Sequence, residues 1–419
     1  MRRRWWPLVV SLATFCAGLA CATVTTFNPL DGAAPASGPT SEAAARQLEV
    51  LAALDLAVRE RYIRADLDGV DWTPAVLEAQ TRLAAGLSEA DFAEAMRALV
   101  GVLPDGNAAF QTRAERIAAE TADTSTYQGI GVFYGFRETP EPRVVVLEVV
   151  DGSPAETAGL QAHDAIYAID GEPVRAEERA TISSRIRGEA GTTVTVSVQT
   201  PGEARRDVTI QRGTIAATDR PRGGPLGDTG LVYYRVPVVA SADLAQVIAQ
   251  DLDTQSQAQP LTGLILDLRT AGSSAGWPLL EMLTLFADGA MGEFYTRATV
   301  EPLSVEGVDV GGSQTLPLII LIGPDTRGTA EVFAGSLQSA GRATLIGLPT
   351  PGETEGFDEV ALPDGSQLTL ATASFRLPDG VDFSVTGLRP DVDVDRDWDT
   401  YAPGADDPVL EAALTQLSK

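Results

Sequence analysis

The sequence predicts a multi-domain α+β protein with a helical N-terminal segment, a compact β-rich domain and an α/β core. Three observations carry that expectation. Apolar residues recur at helical spacing in SEAAARQLEVLAALDLAVRERYI, TPAVLEAQTRLAAGL and SEADFAEAMRALVGVL. The period then changes, and GIGVFYGF, RVVVLEVV, AIYAIDG and TVTVSVQT read as strands around a short capped helix in SPAETAGL. Finally, the apolar runs of GLVYYRVPVV, LTGLILDLR, LPLIILIG and ATLIGLP alternate with helical stretches, the pattern of a parallel sheet covered on both faces.

Taken in order, residues 1–22 combine an arginine cluster, an apolar run and small residues, as a secretory signal does. The run is short for a membrane-spanning helix. GLAC ends in Cys21 like a lipobox, with Gly18 where leucine is usual, and ACA ending at Ala22 equally suits cleavage without a lipid. Membrane attachment through a lipid at Cys21 and simple secretion both stand, and either implies a bacterial periplasm or cell envelope. Residues 23–40 form a Pro/Gly/Ser/Ala tether. Residues 41–120 are expected as a helical domain whose second helix is capped by Thr73, with Pro74 in its first turn. Residues 121–215 form the β-rich domain. Residues 225–400 form the α/β core, with Ser241 opening the helix SADLAQVIAQDLDTQ, two more helices in AGWPLLEMLTLFA and TAEVFAGSLQSAG, and a β-hairpin region in DGSQLTLATASFRLPDG. Residues 401–419 are a C-terminal segment.

The formal net charge of −27 argues against nucleic acid, because a phosphate backbone needs a basic partner. His163 is the one histidine and Lys419 the one lysine. Arginine supplies nearly all the positive charge and does not deprotonate at working pH, so general bases are nearly confined to carboxylates. Both cysteines, Cys16 and Cys21, fall in the signal, which leaves the body without a disulfide framework.

GSPAETAGLQAHDAIYAIDGEPV, residues 152–174, resembles a PDZ domain of the bacterial protease type. The resemblance implies capture of a peptide C-terminus by strand addition, with loop amides holding the terminal carboxylate. The candidate loop is Gly129, Ile130, Gly131 and Val132, where glycines admit a carboxylate close to the backbone. His163 has no nucleophile evident nearby and is expected at a surface or turn.

The order of helical segment, PDZ domain and α/β core resembles the C-terminal processing peptidases, or tail-specific proteases. GVDWTPAVLEAQ, GLILDLR, AEVFAGSLQSAGRATLIGLPT, LPDGSQLTLATASFRLPDG and GLRPDVDV carry the likeness in the family's order. It implies a crotonase/ClpP-like core and serine-type endopeptidase activity from a serine nucleophile and a lysine base, without a cofactor. Counting from Glu331, the nucleophile position holds Gly328. The lysine position in TPGE holds Glu353, and the oxyanion turn TAGSS offers Gly272, Ser273 and Ser274. Asn107 stands where the family carries a histidine in an Asp-x-His-Thr turn.

Thr329 and Ser273 are hydroxyls near the implied site, but neither has an evident base. Glu353 acts as one only if burial raises its pKa strongly, and a carboxylate there opposes a developing oxyanion. Two acidic runs, GETEGFDE with Glu353, Glu355, Asp358 and Glu359, and DVDVDRDWD from Asp391 to Asp399, are expected as solvated faces. In the second, Arg396 takes the glycine position of a calcium loop, so no metal is expected. The expectation is a pseudoenzyme that binds peptide or protein C-termini. The alternatives are an active serine-type endopeptidase with a rearranged nucleophile and a structural or oligomerising scaffold.

Overall fold

The computed structural model describes residues 41–104, 106–121, 126–216, 220–272, 277–384, 386–404 and 406–418. The signal, the tether, Cys21, Ser273, Ser274 and Lys419 lie outside them. Helices α1 (Glu42–Arg61), α2 (Trp72–Leu83) and α3 (Glu89–Val100) open the chain, followed by β1 (Ala108–Gln111) and α4 (Arg113–Thr121). Ser41 and Ser88 cap α1 and α3 by accepting from the amides of Ala44 and Asp91. Thr73 does not cap α2. Asp71 occupies the N-cap position, and the Thr73 hydroxyl accepts from Arg59 Nη2 at 3.3 Å. The buried Trp72 donates its indole N–H to Asp55 at 2.7 Å, and the helix starts at that residue.

The helical segment does not close its own core. β1 pairs antiparallel with the strand Gln367–Arg376 near the end of the chain. Val50, Leu54, Phe92 and Leu99 bury against Leu368 and Leu370 of that strand.

The β-rich domain runs β2 (Thr126–Gly129), β3 (Val132–Arg137), β4 (Arg143–Val149), α5 (Pro154–Thr157), β5 (Ala165–Ile169), β6 (Glu172–Pro173), α6 (Ile182–Ile186), β7 (Thr193–Gln199), β8 (Arg206–Gln211) and β9 (Gly213–Ala216). Its main sheet has the order β3-β4-β5-β7-β8, with β6 on β5, and β2 pairs with β9 apart from it. Val194, Val196 and Val198 of β7 point inward at the strand period of two. β3 lies at the edge of its sheet.

The core continues with β10 (Arg222–Pro225), β11 (Leu231–Arg235), α7 (Leu244–Ala258), β12 (Gly263–Asp267), α8 (Leu279–Phe286), β13 (Gly289–Thr296), β14 (Val300–Val305), β15 (Leu318–Ile322), α9 (Thr329–Ser339), β16 (Ala343–Gly347), β17 (Gly356–Ala361), β18 (Gln367–Arg376), β19 (Val392–Asp393) and α10 (Pro408–Leu417). β11, β12, β15, β16 and β19 are parallel neighbours, with β10 antiparallel at one edge. Leu264, Leu266, Leu318 and Ile320 face α7, α8 and α9, whereas Ile265, Ile319, Leu321 and Ile346 face α10. Covering both faces explains why these strands read as unbroken apolar runs. Ser241 does not open α7. It donates to Asp243, which takes the N-cap place two residues later.

A second sheet, β1-β18-β13-β14 with β17 on β18, closes the molecule. The region expected as a hairpin, DGSQLTLATASFRLPDG, holds the single strand β18, whose antiparallel partner β17 lies just before it. β13 and β14 were not expected from the sequence. They contain GAMGEFYT and VEPLSV, where Gly, Pro and acidic residues interrupt the alternation, and a bulge falls between Ala290 and Gly292.

The end of the second acidic run is not a solvated face. Asp397 accepts from Arg137 and Asp399 from Arg143, and their side chains are 22% and 4% exposed. Burial pushes the Asp397 carboxyl up, but Arg137 outweighs it and holds the group below the usual carboxylate range. Glu355 of the first run is likewise buried, against Arg64. His163 does lie in a turn, at φ +75°, but not at the surface. Its ring stacks on Trp398 at 3.9 Å, and its Nδ1–H donates to the Trp398 carbonyl.

That burial has a pH consequence. Desolvation lowers the His163 pKa to about 4, against 6.5 for the exposed group. Between those values the unfolded chain binds the extra proton and the folded chain does not. Stability is therefore lost as pH falls from about 6.5 to about 4, by about 3 kcal/mol from this residue, and is regained as pH rises. As the one histidine in the chain, it gives a single imidazole signal in an NMR titration. That signal is expected to stay neutral down to about pH 4, and a midpoint near 6.5 contradicts the buried stack.

Candidate functional site

The loop after β15 leads into α9 and is pinned from below. The buried Thr326 hydroxyl donates to the Leu268 carbonyl at 2.7 Å and accepts from the Gly323 amide at 2.9 Å. Gly328 then occupies the N-cap of α9 at φ 59°, ψ −121°, a conformation that favours glycine. It offers no side chain to cap the helix or to attack a substrate.

Glu331, on the first turn of α9, is fully buried. Its Oε1 accepts from the Thr350 hydroxyl and from the Gly352 amide at 2.6 Å. Its Oε2 accepts from the Gly328 amide at 3.0 Å and from the Glu353 amide at 2.8 Å. One oxygen thus holds positions 328 and 353 together, although they are separated by a helix and a strand. Burial pushes the Glu331 carboxyl above its ordinary range, opposed by the Thr350 hydroxyl and the three amides.

The Glu353 side chain turns outward, 52% exposed, and pairs with Arg327. The Gly272 amide is already occupied, donating to the Val238 carbonyl at 3.0 Å, and the Arg327 amide donates to Ala271 at 3.0 Å. Thr329 is half-buried, and its hydroxyl has no hydrogen-bond partner among the described residues. Ser273 falls outside them, and His163 sits at the junction with the β-rich domain. Asn107 donates to the Tyr62 hydroxyl at 2.9 Å, and its carbonyl accepts from the Ala371 amide at 2.8 Å. It is a joint between the helical segment and β18.

A second feature lies between β3 and α6. A cavity of about 190 Å³ is lined by Ile130, Gly131 and Val132, together with Tyr127, Ile186 and Arg187. Gly129 is the last residue of β2, beside it. The carbonyls of Ile130 and Gly131 accept from Ala155 at 2.8 Å and Val150 at 2.9 Å, which fixes the orientation of the loop. The amides of Ile130 and Gly131 make no hydrogen bond among the described residues. Gly131, at φ +89°, passes Ser153 so closely that a Cβ there falls 2.3 Å from the serine Cβ. The edge strand β3, the unbonded amides and the facing helix together form a groove suited to strand addition.

Arg137 joins the two features. It pairs with Asp325, three residues before Gly328, and with Asp397. Sequence reasoning missed this link, the Arg327–Glu353 pair and the buried role of Glu331. Only the last left a local trace, as a glutamate three residues after an N-cap. Among the described residues no group of three His, Cys, Asp or Glu could hold a metal ion, and no helix is long and apolar enough to cross a membrane.

Comparison with known proteins agrees with this architecture. Residues 232–394 match the model of peptidase family S41, and residues 145–200 match that of the PDZ domain. The carboxyl-terminal-processing protease of Picosynechococcus sp. is 31% identical over 300 residues, which are 68% of this chain and 70% of that protein. The chloroplastic C-terminal processing peptidase of Tetradesmus obliquus is 29% identical over 387 residues, 87% of this chain and 79% of that one. The solved photosystem II D1 C-terminal processing protease is similar at a TM-score of 0.64 and 26% identity, covering 84% of this chain and 93% of its own.

Proposed function

Because the chain belongs to the C-terminal processing peptidases of peptidase family S41 and carries a PDZ domain, we propose that it is a non-catalytic member that captures peptide or protein C-termini. The observation that carries the reading is the state of the groups at the start of α9. Acyl transfer needs a nucleophile, a base and donors for the oxyanion. Gly328 supplies no nucleophile, Glu353 faces away in an ion pair with Arg327, and the amides of Gly328 and Gly272 are spent on Glu331 and Val238. Thr329, the hydroxyl nearest the nucleophile position in sequence, has no base bonded to it among the described residues.

The groove between β3 and α6 retains what C-terminal capture requires: an edge strand, two unbonded amides in a glycine loop and apolar walls. Delivery to the cell envelope, with a lipid at Cys21 or without one, belongs to the same proposal. Fluorescence anisotropy with a library of C-terminal peptides, each as free acid and as amide, tests the binding half. Free acids are expected to bind and amides to fail. Equal binding of both forms, or of neither, contradicts capture of C-termini.

A further inference from the structure

We propose that Arg187 is the charged anchor for the ligand's terminal carboxylate in the groove between β3 and α6. The inference rests on the C-terminal capture proposed above and assigns that capture a side chain. Arg187 ends α6, and its own amide donates to the Ser183 carbonyl at 2.8 Å, which fixes where its side chain starts. A Cβ built on Gly129 falls 3.5 Å from Arg187 Cγ and 3.6 Å from its Cα, so this side chain leaves the helix directly against the glycine loop. The guanidinium then lies over the Tyr127 ring, 4.8 Å from its centroid, and Arg187 lines the same cavity as Ile130 and Gly131.

The charge state of the chain makes this placement informative. Acidic residues number 58 against 31 basic ones, and arginines of the core and of the domain junction such as Arg137, Arg143, Arg269 and Arg327 are paired with carboxylates. Arg187 pairs with none among the described residues. A second polar group is unspent beside it, because the Tyr127 hydroxyl is buried without a hydrogen-bond partner. Burial pushes that phenol above its ordinary range, so it remains a donor at neutral pH. Two unbonded amides and Arg187 therefore border a cavity whose walls include the aliphatic side chains of Ile130, Val132, Ile186 and Val238, beside Phe133, Tyr134 and Ser183. This set of groups fits a carboxyl terminus whose last side chain is aliphatic.

The test is a four-way comparison on the full mature chain by fluorescence anisotropy. Fluorescein-labelled decapeptides ending in Val, Leu or Ala, as free acid and as amide, are titrated against wild type and Arg187→Ala. The variant is expected to bind the free acids about ten- to a hundredfold more weakly, the range of a lost charge-assisted hydrogen bond. The amides, which are expected not to bind the wild type, are expected not to bind the variant either. Added salt is expected to weaken the wild type more than the variant, and Arg187→Lys is expected to restore part of the loss. Thermal unfolding of Arg187→Ala at the wild-type temperature shows that the groove is intact. Unchanged free-acid binding by Arg187→Ala overturns the assignment of Arg187 while C-terminal capture stands. A wild type that does not distinguish acids from amides overturns the capture itself, and the anchor with it.

Discussion

Glu331→Ala is expected to destabilise the protein by about 4 kcal/mol, because four donors, three of them buried and one half-buried, lose their acceptor together at roughly 1 kcal/mol or more each. Those donors are the Thr350 hydroxyl and the amides of Gly328, Gly352 and Glu353. Glu331→Gln is expected to cost about half as much, since an amide nitrogen replaces one acceptor and faces two of the same donors. Urea denaturation gives the energies. Hydrogen exchange gives the location, with protection lost first at residues 350–353. A loss under about 1 kcal/mol for Glu331→Ala means that the carboxylate does not hold the loop after β16 to the start of α9.

Trp398→Ala is expected to cost about 3–5 kcal/mol, the range for deleting a large buried aromatic ring. Trp398 is 7% exposed and lies between the β-rich domain and the core. It stacks on His163 at 3.9 Å, and its indole N–H donates to the Val146 carbonyl at 3.2 Å. The guanidinium carbons of Arg235 and Arg269 stand 4.8 and 5.1 Å from its ring centre. Removal opens a cavity at that junction, and the depressed pKa of His163 is expected to move back toward 6.5 as solvent enters. The same histidine resonance therefore reports the effect without reference to global unfolding. An unmoved titration together with a cost below about 1 kcal/mol places the junction's stability elsewhere, in the arginine–aspartate pairs of residues 397 and 399.

The division into helical segment, β-rich domain and parallel core was legible because each has its own apolar period, and local burial writes that period into the sequence. The α/β core was plainest, since strands buried on both faces have almost no polar positions. The joints between units were not legible. β1 finds β18 about 260 positions later, and Arg137 meets Asp397 at a separation of 260. Nothing local distinguishes Asp397 and Asp399 from the acidic residues around them. His163 has the same difficulty, because its burial depends on Trp398, 235 residues on. Thr73 and Ser241 failed as caps for a smaller reason. A buried Trp72 and an N-cap Asp243 shifted the helix starts by one to three residues, a difference that propensity does not resolve.

At the candidate site, positions 328 and 353 were reached from the sequence by counting along the motifs. What surrounds them required coordinates. Glu353 does not enter the space of a base but turns out to Arg327, and the amide of Gly272 is bonded back to Val238.

The most direct measurement of the central claim incubates the purified mature protein with substrates bearing unstructured C-termini, followed by mass spectrometry of the products and by labelling with a serine-reactive fluorophosphonate. The account predicts intact substrates and no covalent adduct on any residue. Cleavage that disappears in Thr329→Val, or an adduct on Thr329 or Ser273, contradicts it.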